Sequence, residues 1–164
     1  MMRTLLRGTL AGAAGTTVLN AVTYGDMALR GRPSSSAPED TVDALAAKAG
    51  VGIPGIPGIP GIPGEGGTRD NRLTGLAALT GISVGVGVGT AVAVIRRAGV
   101  RLPWWSGGAL TGALAMAGAD VPMARLNISD PRTWSTTDWL SDAVPHLVYG
   151  LVTYGVVLAT EPRP

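Results

Sequence analysis

Four stretches of the chain are rich in apolar residues and poor in charge, and each is about as long as a bilayer is thick. The clearest is 73–95, which contains no charged residue and is bordered by arginines on both sides. About 20 apolar residues in a helix cross the hydrocarbon core. The others are 5–28, 104–123 and 142–160. The pattern predicts an all-α polytopic membrane protein, a single domain over 1–164 built as a bundle of about four transmembrane helices.

The stretch at 5–28 is the least apolar of the four. Arg3 and Arg7 precede a short apolar run, so a secretory signal peptide is the alternative. No convincing Ala-x-Ala cleavage site follows, and this favours a permanent span. Four spans place both termini on one side of the membrane.

A long polar connection, 29–72, separates the first two predicted spans. Ser36 and Glu39 have the spacing of a capping box, and apolar residues then recur at helical spacing. We therefore expect a short amphipathic helix over about 37–49. The connection then continues into a repeat.

Gly-Ile-Pro occurs four times in succession within 52–64. Collagen also places Gly at every third position, but four triplets that need three chains make a poor triple helix. An extended polyproline-like linker is the favoured interpretation. Twelve such residues at about 3.1 Å each reach about 37 Å.

Composition agrees with a protein whose surface faces lipid. Charged residues make up 15% of the chain, whereas about 25% is usual in soluble domains. The mean hydropathy is +0.30. The net charge of +2, without a basic run interleaved with aromatics, does not indicate a nucleic-acid partner. The partner that composition does predict is the lipid bilayer.

Catalytic and cofactor signatures are nearly absent. There is no cysteine, and His146 is the single histidine, so thiolate and two-histidine metal sites are excluded. The glycines between Gly85 and Gly89 lack the Lys-Ser/Thr of a phosphate loop. Ser141, His146 and Asp120 lie at one membrane level, so an intramembrane hydrolase is the exception, although no nucleophile elbow surrounds the serine. We expect no enzyme, no cofactor and no metal.

Glycines recur at every fourth position in three of the predicted spans. Such faces let helix backbones approach closely. Two interpretations stay open: packing within one chain, or association into a homo-oligomer. The glycines concerned are Gly8, Gly12, Gly81, Gly85, Gly89, Gly108 and Gly112.

Polar side chains from three spans fall at the membrane face that carries the long connection. Ionisable residues inside spans are costly and by default mark functional sites. Asp142 and His146 are four residues apart and share a helix face, so they can pair. The residues of this candidate ion or proton site are Asn20, Asp26, Asp120, Asp142 and His146, with Tyr24 nearby.

A structural role is the alternative for the same residues. Asp142 followed by Pro145 has the form of a helix N-cap. Asp120 precedes Pro122 and can mark the end of the third helix. Asp26 has Arg30 and Arg32 close by in sequence.

Two segments resemble known membrane proteins. The segment WSTTDWLSDAVPHLVYGLV resembles the closing segment of the YagU-like family of bacterial inner-membrane proteins, in which a Trp-containing interfacial stretch leads into a helix with an acidic residue and a His-Leu-Val step. Asp142 and His146 stand at those positions here. Residues 6–40 resemble the opening of small actinobacterial membrane proteins of unassigned function. The Gly-Ile-Pro linker has no counterpart in the YagU-like family.

These observations favour a structural or accessory integral membrane protein that acts through helix packing, with itself or with a membrane partner. The alternative is a small proton- or cation-coupled transporter or channel that uses the carboxylate and histidine cluster. The resemblance implies a bacterial plasma membrane. Arginine density near the ends of the short segments favours multi-pass insertion with cytoplasmic termini.

Overall fold

Five α-helices account for most of the described chain. The computed structural model describes residues 1–53 and 65–161, and no strand occurs among them, so the all-α prediction is confirmed. Most of the Gly-Ile-Pro repeat predicted as a linker over 52–64 lies outside the described residues. A 3-10 turn, Pro131–Thr133, precedes the last helix. The helices are α1 Met2–Arg30, α2 Ala37–Lys48, α3 Glu65–Arg97, α4 Trp104–Arg125 and α5 Thr136–Ala159.

The four long helices run in alternating directions, with α1 between α3 and α5. Helix α4 packs mainly on α5 and touches α3 more sparsely. The short helix α2 lies against α3, where Arg69 forms an ion pair with Asp43. We call the end that holds Met1, the 98–103 loop and Glu161 the terminal end, and the opposite end, which holds α2 and the 126–135 loop, the connection end.

The last two helices extend beyond their predicted limits. Asp120 does not end α4, because the helix continues through Pro122 to Arg125. Asp142 does not cap α5, because the helix begins at Thr136. Both predictions of a helix end were wrong. A proline in a last turn removes only one helical hydrogen bond, so Pro122 is tolerated where it lies.

A capping box that the sequence analysis missed starts α5. The Ser135 hydroxyl accepts from the Asp138 N–H at 3.2 Å, and the Asp138 carboxylate accepts from the Ser135 N–H at 2.9 Å. The prediction of a capping box at Ser36 is wrong. The backbone of Ser36 is already helical, and the Ser36 hydroxyl donates to the Asp40 carboxylate instead. The neighbouring Ser35 hydroxyl accepts from the Ala37 N–H.

The interior of the bundle consists mainly of small residues together with two buried tyrosines, Tyr149 and Tyr154, and many of the leucines point outward. Ala11, Ala93 and Val157 form the buried apolar cluster. The outer surface carries large side chains such as Leu79 and Leu110, which are 61% and 60% exposed. Large exposed apolar surfaces of this kind are rare on monomeric soluble proteins.

Two helices are long and apolar enough to cross a membrane within the part of the chain that the structure describes. They are Gly67–Arg97 and Thr136–Ala159. Only 22% and 33% of their most apolar segments are buried inside the molecule, whereas the core helix of a soluble protein is mostly buried. The finding supports membrane association through α3 and α5, and leaves the four-span arrangement a prediction.

Candidate functional site

Asp120 on α4 lies within electrostatic range of Asp142 and His146 on α5. The two helices are antiparallel and approach closely here, because a β-carbon added at Gly112 would lie 2.5 Å from the His146 carbonyl oxygen. This glycine therefore allows α4 to bring Asp120 toward α5. Three of the five residues of the candidate ion or proton site are thus neighbours.

Within this cluster, His146 is held mainly by its own helix. Its Nδ1 lies 2.9 Å from the Asp142 backbone oxygen and 3.4 Å from the Asp142 Oδ1. The Oδ2 of Asp142 is buried and has no hydrogen-bond partner in the described chain. Adjacent carboxyl groups can share one proton between them, and a neighbouring imidazole can exchange it. The arrangement therefore places an unpartnered carboxylate oxygen beside an imidazole.

The structure places Asp26 in a different interaction. Its carboxylate binds both Arg30 and Arg32, and Arg30 also donates to the Ser141 hydroxyl at 2.7 Å. These contacts join the end of α1 to the start of α5. Asp26 therefore acts here as an ion-pair partner.

Two further polar residues of α1 stay apart from the cluster. Asn20 is half-buried and makes no hydrogen bond within the described chain. Tyr24 is 63% exposed. Neither side chain has a described contact with Asp120, Asp142 or His146.

The arrangement gives no support to a serine hydrolase or to a metal centre. Ser141 accepts from Arg30, and no hydrogen bond joins it to His146 within the described residues. In the same part of the chain, no group of three or more His, Asp or Glu side chains could hold a metal ion.

Six of the seven glycines singled out from the sequence lie against a neighbouring helix. A β-carbon at Gly8 would lie 2.5 Å from the Thr90 Cα, and one at Gly12 would lie 2.5 Å from the Gly85 oxygen. These close approaches fix the α1–α3 contact. At Gly81 a β-carbon would meet nothing within 4 Å. The glycines in contact are Gly8, Gly12, Gly85, Gly89, Gly108 and Gly112.

Two tyrosines of α5 join helices in ways that glycine spacing does not reveal. The Tyr149 hydroxyl donates to the Gly85 carbonyl at 2.6 Å and is buried. The Tyr154 hydroxyl donates to the Leu102 carbonyl at 3.0 Å and accepts from Arg96. A tyrosine inside an apolar segment needs a partner for its hydroxyl. The presence of tyrosines within the apolar segment 142–160 was therefore the sequence signal that could have predicted these two hydrogen bonds.

An ion pair with a buried arginine at the terminal end was also missed. Arg96 is 6% exposed and binds the Glu161 carboxylate through two nitrogens, at 3.0 and 2.8 Å. The Arg96 hydrogen bonds hold the pKa of Glu161 below its ordinary value. At the connection end, Arg132 likewise lowers the pKa of Asp130. No sequence spacing links residues so far apart, so only the fold brings Arg96 to Glu161.

The chain was compared with protein-family models, with curated proteins and with solved structures. It matches no family model, no curated protein and no solved structure. The resemblance of the closing segment to the YagU-like family stays a prediction.

Proposed function

We propose that this chain is a structural or accessory integral membrane protein that crosses the bacterial plasma membrane four times with cytoplasmic termini. The observation that carries the proposal is the distribution of side chains, with mainly small residues inside the bundle and many exposed leucines outside it. In a membrane the outer leucines contact lipid, and helix association depends on close backbone packing through small residues.

Tryptophans near both ends of the bundle support the same reading. Trp104 and Trp105 are exposed at the terminal end. Trp134 and Trp139 stack edge to face at the connection end, with ring centroids 5.1 Å apart. Trp is enriched at both membrane–water interfaces. Two such groups at opposite ends of one bundle fit a protein that spans the bilayer.

Single cysteines test insertion and orientation, because the chain has none of its own. We expect Ser34→Cys to react with a membrane-impermeant maleimide in intact cells and Val100→Cys to react only after lysis. Both positions are exposed in the structure. The reverse pattern would overturn the orientation. Reaction of both in intact cells would overturn the four-span arrangement, and loss of the protein from carbonate-washed membranes would reject insertion itself.

Association with a partner is assigned to the part of α3 around Gly81. Gly81 continues the line of Gly85 and Gly89, and a β-carbon added there would meet nothing within 4 Å. A tagged wild-type chain is crosslinked in native membranes and purified in mild detergent. We expect Gly81→Leu to abolish the crosslinked product, whereas Gly87→Leu, at an equally open position, leaves it intact. Equal crosslinking in both variants, or no product in the wild type, counts against the accessory function.

The second candidate function is proton-coupled transport, and the neighbouring positions of Asp120, Asp142 and His146 favour it. Proton flux is measured in proteoliposomes under a pH gradient. Transport predicts flux in the wild type that Asp142→Asn and His146→Ala abolish, while Asp40→Asn on the exposed face of α2 retains it. No wild-type flux under either direction of the gradient rejects this candidate and leaves the structural function unaffected.

A further inference from the structure

Four arginines at the terminal end have no carboxylate of their own within the described chain. Arg7 and Arg101 face only Glu161, and Arg96 already binds that carboxylate through two hydrogen bonds. The other two form no hydrogen bond or ion pair with any described residue. We call these four residues the arginine patch: Arg3, Arg7, Arg97 and Arg101.

Most arginines at the connection end, in contrast, are paired. Arg69 binds Asp43, and Arg132 binds Asp130 at 2.8 Å. Asp26 binds two further arginines of that end. The charge there is largely balanced within the chain. Among the described residues, the arginines without a carboxylate of their own therefore lie mainly at the terminal end.

The arginine patch lies beside aromatic side chains suited to the headgroup region. Arg97 is the last residue of α3, and Arg101 lies in the 98–103 loop that leads into Trp104 and Trp105, which are 53% and 67% exposed. Tryptophan locates a segment at the membrane–water interface. The guanidinium group is planar and can bind phosphate through two parallel hydrogen bonds. The arginine patch therefore lies at the same depth as tryptophans that favour the membrane–water interface.

We propose that the arginine patch binds the phosphate groups of anionic phospholipids in the leaflet at the terminal end. The inference rests on the proposed membrane insertion and adds a ligand class to it. An anionic headgroup supplies the counter-charge that the described residues lack there. Basic residues next to a membrane surface are attracted to anionic lipids in this way.

The test uses the full chain, purified in a neutral detergent and titrated with phosphatidylglycerol or phosphatidylcholine, with bound lipid counted by native mass spectrometry. We expect the wild type to prefer phosphatidylglycerol. Arg97→Gln and Arg101→Gln should each weaken that binding about fivefold, which corresponds to about 1 kcal/mol per arginine. The matched control is Arg125→Gln, which removes an exposed arginine at the connection end and should leave lipid binding unchanged.

Three outcomes would overturn the proposal. Equal binding of both lipids in the wild type removes the charge preference. Equal weakening by Arg125→Gln makes the effect one of net charge and not of the arginine patch. Displacement of the lipid by millimolar inorganic phosphate would identify a soluble anion as the ligand. A chain retained in carbonate-washed membranes without lipid preference rejects this inference alone, whereas a chain lost from those membranes rejects the proposed insertion.

Discussion

Two neighbouring stretches, residues 74–83 and 84–93, form the N-terminal and C-terminal halves of the apolar part of α3; both are rich in small residues, but their surroundings are opposite. In the C-terminal half, Gly85, Gly89 and Ala93 are buried against α1. In the N-terminal half, between residues 74 and 83, only Ala77 is buried. Both halves are rich in small residues, so composition does not distinguish them. The comparison teaches that a small-residue face packs tightly only where a second helix with a matching face is at hand.

The largest expected effect separates the two halves directly. A β-carbon at Gly89 would lie 2.6 Å from the Gly12 backbone and equally close to the Gly8 oxygen, and backbone cannot move aside. We expect Gly89→Ala to lower the free energy of unfolding by about 1–3 kcal/mol, as overpacking does. Reversible unfolding in detergent, followed by circular dichroism, measures it.

Gly81→Ala is the matched control for the other half. Open space surrounds this position, and alanine is the better helix former, so we expect no loss and a gain of up to about 0.5 kcal/mol. Similar losses at both glycines would show that α1 covers the whole of α3, contrary to the structure.

The next effect concerns the two arginines that tie α3 to other segments. Arg96 is buried and binds Glu161 and Tyr154, whereas Arg69, near the other end of the helix, is 42% exposed. Removing one partner of a buried charged hydrogen-bond network costs about 1–3 kcal/mol, while an exposed ion pair contributes about 0–1 kcal/mol. We therefore expect Arg96→Gln to lower the unfolding temperature clearly more than Arg69→Gln in the same detergent. Equal shifts would contradict the burial of Arg96.

The smallest effect is a pH dependence at the terminal end. Arg96 lowers the pKa of Glu161 below its ordinary value of about 4.3, so the folded chain holds the ionised form. The stabilisation is complete above that ordinary value and is lost as the pH falls through the lowered pKa. We expect the unfolding temperatures of wild type and Glu161→Gln to differ at pH 6 and to converge as the pH falls toward 3. A difference that persists at low pH would show that charge is not its cause.

The sequence predicts the helices well and their ends poorly. The short helix expected over about 37–49 corresponds to α2, Ala37–Lys48, because apolar spacing is a local property. The start of α5 was predicted at Asp142, because an Asp followed by a Pro three residues later is typical of a helix N-terminus, whereas the helix begins at Thr136. Ser135 and Asp138 supply the capping box in the preceding, more polar segment. Hydropathy identifies the apolar segment that can contact lipid, but the helix extends beyond that segment into more polar residues.

The candidate site shows the same division. Spacing along α5 is enough to place His146 four residues after Asp142. The assignment of Asp26 to the same cluster rested on membrane level alone. The depth of a residue in the membrane does not determine which side chains it meets. In the structure, Asp26 pairs with Arg30 and Arg32 instead. Rotation about the helix axis decides the rest, and it depends on packing against other helices.

By itself, the sequence determined the helical class, the apolar segments, the lack of thiol and multi-histidine chemistry, and the glycine faces, because these follow from composition and short-range periodicity. Only the tertiary structure decided which glycines meet a partner, that Arg96 reaches Glu161 across 65 residues, and that Asp120 approaches Asp142 and His146. These pairings depend on how the helices are rotated and tilted against one another. That geometry is set by contacts between residues far apart in the chain, which no local pattern encodes.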